Sequence, residues 1–88
     1  MKSKYNFEFM ELGDQIVAVP VGEGANIFHG VIKLNSFSAF VLKLLKDDID
    51  ENDMLRRLEL EFDADTEVLK NALEISLQSF DKAGILEC

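Results

Sequence analysis

A chain of 88 residues is enough for one compact domain and not two, and a domain of this size buries little more than about 60% of its unfolded surface. Acidic residues outnumber basic ones 17 to 9, for a net charge of −8, a surface that repels nucleic-acid phosphates and anionic membranes. The lone Cys88 excludes an internal disulfide, and without a signal-like start or an apolar run near the ~20 residues of a membrane span, residues 1–88 read as a single cytoplasmic domain.

Tyr5, Phe7 and Phe9 alternate with Asn6 and Glu8, the period of a half-buried strand with its aromatic face inward. Gly13-Asp14 suits a tight hairpin turn, because glycine tolerates positive φ. Ile16 to Val19 is a second strand, and Pro20 is expected to end its pairing. Val21 to Ile27, with Gly22 and Gly24, reads as a loop. A third strand is expected from Phe28 to Leu34. Phe28, Ile32 and Leu34 share the parity that faces a helical layer, and Gly30 leaves a gap or bulge among them. Val31 and Lys33 point the other way.

Asn35-Ser36 stops that strand and can cap a helix, since a short side-chain oxygen accepts first-turn N–H groups. Phe37, Phe40, Val41, Leu44 and Leu45 then recur at helical spacing. Lys46 to Ile49 is a polar connector. Asp50 can cap a second helix with Met54, Leu55, Leu58 and Phe62 as its inner stripe. Asp63-Ala64-Asp65 is the next turn, with Asp65 expected to cap a third helix running to Ala83. Gly84 sits where a left-handed stop is wanted, and Ile85 where it can fold back on Phe80.

The third helix has a wide uncharged arc. Leu69, Leu73, Ser76, Phe80 and Ala83 form its inward stripe, Val68, Ala72 and Ile75 extend it on one side, and Leu77 on the other. One core contact needs a stripe of only ~100°, so the helix is either deeply buried or lines a groove; periodicity alone favours burial. The fold class that results is α+β, a winged-helix-like domain with a three-stranded antiparallel sheet followed by three helices.

Chemistry is sparse. His29 has no local cysteine or paired carboxylate, no Cys/His cluster has metal spacing, and Ser36, Ser38, Ser76 and Ser79 lack a local base. Gly22-Glu23-Gly24 is too short and acidic for a phosphate loop, and Asp47 to Asp53 lacks the central glycine and closing glutamate of a calcium loop. The chain is therefore not read as an enzyme, and neither metal nor cofactor is expected. A winged helix invites a DNA-binding regulator as the alternative, yet Lys70 and Lys82 are set against Glu67, Glu74 and Asp81, and Arg56 and Arg57 against Glu51, Asp53, Glu59 and Glu61. No basic stripe results.

In the strand order 1-2-3 the third strand is an edge. Its unpaired N–H and C=O groups can accept an extended peptide as a fourth strand about 4.8 Å away, with specificity from apolar side chains lodged against the third helix. A protected edge with Lys33 as gatekeeper is the plainer reading of these residues. The same edge can also pair with a second copy, leaving a homodimer open.

Leu34-Asn35-Ser36-Phe37-Ser38-Ala39-Phe40-Val41-Leu42-Lys43-Leu44-Leu45 resembles the Leu-Asn-Glu-Thr-x-Ala-Phe-Ile-Trp-x-Leu-Leu segment of the PqqD-like family, named for pyrroloquinoline quinone biosynthesis protein D. The stretches Glu61-Phe62-Asp63-Ala64-Asp65 and Phe80-Asp81-Lys82-Ala83-Gly84-Ile85-Leu86-Glu87 are similar to it in order and spacing. The resemblance implies a RiPP recognition element: a non-catalytic module that binds the leader of a ribosomally made precursor peptide and presents it to a modifying enzyme, often a radical S-adenosylmethionine enzyme. It implies leader addition, antiparallel, to the strand containing Phe28, Val31, Ile32, Lys33 and Leu34, with packing against a flank drawn from Val68, Ala72, Ile75 and Ser79. The chain departs from the family at Ser36 and Phe37, at Leu42 in place of a common Trp, at Ala72 in place of an acidic residue, and at Ser76 in place of a bulky one. Leader preference therefore does not transfer.

Overall fold

The turn at Gly13-Asp14 sets the register of everything before the helices. In the computed structural model, which describes residues 1–22 and 31–87, β2 (Asn6–Leu12) and β3 (Gln15–Val21) close on the pair Leu12 and Gln15. Only these two turn residues intervene, and Gly13 takes φ of 64° while among the described residues none but glycine has positive φ. Positive φ at the first turn position alone matches the strand-compatible hairpin turn that begins with glycine.

β4 (Ile32–Leu34) adds antiparallel to the other side of β3, giving the order β2-β3-β4. The expected third strand began at Phe28; Phe28, His29 and Gly30 lie outside the described residues, and Val31 precedes β4. Pro20 does not end the pairing of β3. It stands opposite Phe7 inside the ladder. A two-residue hairpin closes on a hydrogen-bonded pair and the pairs alternate from there, so Phe7 and Pro20 form a non-bonded pair. The N–H that proline lacks would have pointed away from β2, beyond the end of the β4 ladder at Ala18.

Ala18 and, partly, Phe7, Phe9, Ile32 and Leu34 pack on the helical side. Lys43 stands over the Phe9 ring with its Nζ 5.2 Å from the centroid. Helix α1 (Ser36–Leu44) touches β3, β4 and the long last helix, α3 (Thr66–Lys82). Being covered on both sides, it buries Leu42 as well as Val41 and Leu45, a residue outside the single stripe expected. Helix α2 (Glu51–Glu61) buries Met54 and Leu58 against α3 (Thr66–Lys82), and Phe62 at its end meets the rings of Phe37 and Phe40.

Each helix end has its own chemistry. Asn35 accepts from Ser38 N–H at 2.8 Å, and Asp50 from Asp53 N–H at 2.8 Å. Asp65 occupies the cap position of α3, but its side chain makes no cap bond. Asp50→Ala should therefore cost about 1 kcal/mol, and Asp65→Ala only the few tenths that a charge near a helix start contributes, roughly 0.5 kcal/mol. Urea titrations of the two variants check this; equal losses would contradict it. At the far end of α3, Gly84 has φ of 76°, its N–H donates to Asp81 and the Ile85 N–H donates to Phe80. This is the two-bond left-handed stop expected from Gly84, and Ile85 is wholly buried.

A second, two-stranded sheet was not legible from the sequence: β1 (Lys2–Ser3) pairs antiparallel with β5 (Leu86–Glu87). The Ser3 N–H donates to Leu45, the Lys4 N–H to Ile85 and the Ile49 N–H to Met1. The α-amino group of Met1 donates to Asp48 at 2.8 Å and holds that carboxyl below its ordinary range. These bonds tie the start of the chain to the ends of α1 and α3. No described helix is long and apolar enough to cross a membrane.

Candidate functional site

The parity of the ladder decides which backbone groups the sheet leaves outward. Phe9 and Ala18 form a non-bonded pair, so Ala18 turns its N–H and C=O toward β4, where it meets Ile32. One step along, Lys33 is opposite Val17 in a non-bonded pair, so the Lys33 N–H and C=O point away from β3. Val31 has the same parity. No described strand lies beyond β4. The outward row is therefore centred on Lys33 and Val31, while Ile32 and Leu34 spend their backbone groups on β3 and turn their side chains to the core.

Helix α3 packs on α1, the helix that follows β4 in the chain. The wide uncharged arc resolves into two halves: Leu77 is buried, whereas Val68 is 57% and Ile75 65% exposed. Ala72 is half-buried and Ser79 exposed. Val68, Ala72, Ile75 and Ser79 follow one another at four, three and four residues, a single stripe along the helix. Periodicity favoured burial of this flank; the structure leaves it open. Between the two halves lies Ser76, buried, with its hydroxyl 3.4 Å from that of Ser38.

That contact locates the flank. Ser38 belongs to the first turn of α1 and follows Leu34, the last residue of β4, by four positions, about one helical turn. Ala72 and Ser79 lie one turn to either side of Ser76 on α3. The middle of α3 thus meets the first turn of α1, at the line where the core side of α3 gives way to its exposed side. Ser38 was absent from the expected site residues. Its signal was a serine at 76 inside an apolar stripe, because a buried hydroxyl requires a partner.

A family model described as "Coenzyme PQQ synthesis protein D (PqqD)" matches residues 16–86. The chain belongs to the PqqD family. The solved structure described as "TbiB1 in Complex with the TbiA(beta) Leader Peptide" is similar over 99% of this chain and 95% of that one, with a TM-score of 0.70 and 16% sequence identity. At that identity the likeness is one of fold. No curated protein matches significantly.

Within this PqqD-family chain, the expected site residues fall into three groups. Val31, Lys33, Val68, Ile75 and Ser79 are exposed; Ile32, Leu34 and Ala72 are half-buried; Phe28 lies outside the described residues. Exposure alone does not mark a site, since Met10, Leu12 and Leu60 are exposed too. A surface hollow of about 450 Å³ is lined by Leu44, Asp47, Asp48, Ile49, Asp53 and two arginines, with nothing from β4 or α3. Among the described residues no group of three or more His, Cys, Asp or Glu side chains is placed to hold a metal.

Proposed function

We propose that this protein is a non-catalytic peptide chaperone, which captures the leader of a ribosomally synthesised precursor by strand addition and presents it to a modifying enzyme. The observation that carries the reading is the outward backbone row of β4 at Val31 and Lys33, in a domain whose α3 also keeps an exposed apolar flank. An extended peptide laid antiparallel along β4 gains main-chain hydrogen bonds that demand little of its sequence. Its alternate side chains turn to the helical side, where Val68, Ala72 and Ile75 offer apolar cover and Ser79 a hydroxyl.

Membership in the PqqD family supports this reading, and so does the fold shared with TbiB1, itself in complex with a leader peptide. The modifying enzyme is taken to be of the radical S-adenosylmethionine type, and the site of action to be the cytoplasm. A homodimer through β4 would compete with the peptide for the same backbone groups.

A proline scan of a bound peptide tests the mode of binding. Proline at peptide positions whose N–H faces β4 should weaken binding at least about tenfold, since each removes a ladder donor and forces the backbone. At the positions between, the loss should be smaller. Calorimetry that returned one affinity for every proline peptide would exclude strand addition.

A further inference from the structure

The edge that accepts a strand also carries a charge. Lys33 shares the face of the sheet turned away from the helices. Its neighbours there in β3 are Gln15, Val17 and Val19, all uncharged. The described ion pairs are Met1–Asp48 and Arg56–Asp53, so Lys33 is not engaged by either. On α3, the residues one turn from Ile75 along its own face are Asn71 and Gln78, and Lys82 lies two turns on. Glu74 and Asp81 lie farther round the helix. The nearest described neighbours of Lys33 on its sheet face are therefore uncharged, Glu8 lying two strands away on that face and Glu67 at the start of α3, in a chain of net charge −8.

We infer that the groove selects a peptide with a fixed pattern: a carboxylate opposite Lys33, flanked on both sides by apolar residues. The inference rests on the strand-addition reading above and deepens it. In an antiparallel ladder the residue opposite Lys33 puts its side chain on the same face as Lys33, with its Cβ about 5 Å away. The residue before it, opposite Leu34, and the one after it, opposite Ile32, turn to the helical side beside the α3 flank. The residue two positions on faces Val31, which is 55% exposed. The pattern is apolar, acidic, apolar, apolar, read from the N terminus of the peptide. A basic residue in the acidic position would face Lys33 directly, and like charges there are unfavourable.

Panning a displayed library of random peptides on the whole protein, and separately on Lys33→Glu, tests the pattern. Lys33 is exposed and packs in no core, so circular dichroism of the variant should match the parent. On the parent, enriched peptides should carry Asp or Glu between apolar residues. On Lys33→Glu the same position should turn to Lys or Arg, and a parent-selected peptide should lose affinity by about fivefold, recovered when its acid is exchanged for lysine. Identical motifs from both proteins, with apolar alternation and no charge at that position, would overturn the selectivity and leave strand addition standing. Failure of both to enrich any extended motif would overturn the strand-addition reading and this inference with it.

Discussion

Leu73→Ala should cost about 2–5 kcal/mol of folding stability, the range for a leucine truncated in a packed core. Leu73 is 1% exposed and belongs to the cluster in which α3 meets Val41, Leu45, Met54 and Leu58 from the other two helices. A domain of 88 residues holds roughly 4–13 kcal/mol in all, so the variant would keep little margin at 37 °C. Urea denaturation should show a lower midpoint with an unchanged slope, because the surface exposed on unfolding is the same. A loss under about 1 kcal/mol would mean that the inner face of α3 is not the floor of the core.

How much of this was legible in the residues depends on the range of the interaction that fixes each part. Gly13-Asp14, Asn35, Asp50 and Gly84 act on bonds within a few positions of themselves, and each stands where it was expected. Asp65 has the right residue at the right place, but its carboxylate makes no cap bond, which rotamer choice decides and residue type does not. Pro20 misled because the consequence of a missing N–H depends on which side of the strand it faces, a matter of ladder parity and not of composition. The pairing of Lys2–Ser3 with Leu86–Glu87 joins two short segments from opposite ends of the chain, and neither has a period to read. Leu42 went unassigned because one stripe was sought on a helix that is covered from two sides. The candidate site was legible as an edge and a flank. Which half of the α3 arc stays open was not, since helical spacing gives the width of an apolar arc and says nothing about where the neighbouring helices stop.

Two residues beyond Leu73, the opposite result is expected. Ile75→Asp should reduce affinity for a peptide selected on the parent protein by at least about tenfold, while thermal unfolding stays close to the parent. Covering one isoleucine by an apolar peptide side chain is worth about 1.5–3 kcal/mol, equivalent to roughly 10- to 150-fold in affinity, and a carboxylate in that position adds a desolvation cost. Folding should lose only the difference in helix propensity, about 0.5 kcal/mol, because the side chain is 65% exposed and leaves no cavity. Val31→Asp should act in the same direction from the strand side, for Val31 is 55% exposed and flanks the same edge. Calorimetry paired with thermal melts separates the possibilities. Variants that melt with the parent and bind no peptide place the α3 flank and the β4 edge on one surface. Variants that melt with the parent and bind as tightly as it does would remove both residues from the groove. Loss of folding in both would return Ile75 and Val31 to the core, and the difference between adjacent faces of α3, on which the proposed function depends, would be gone.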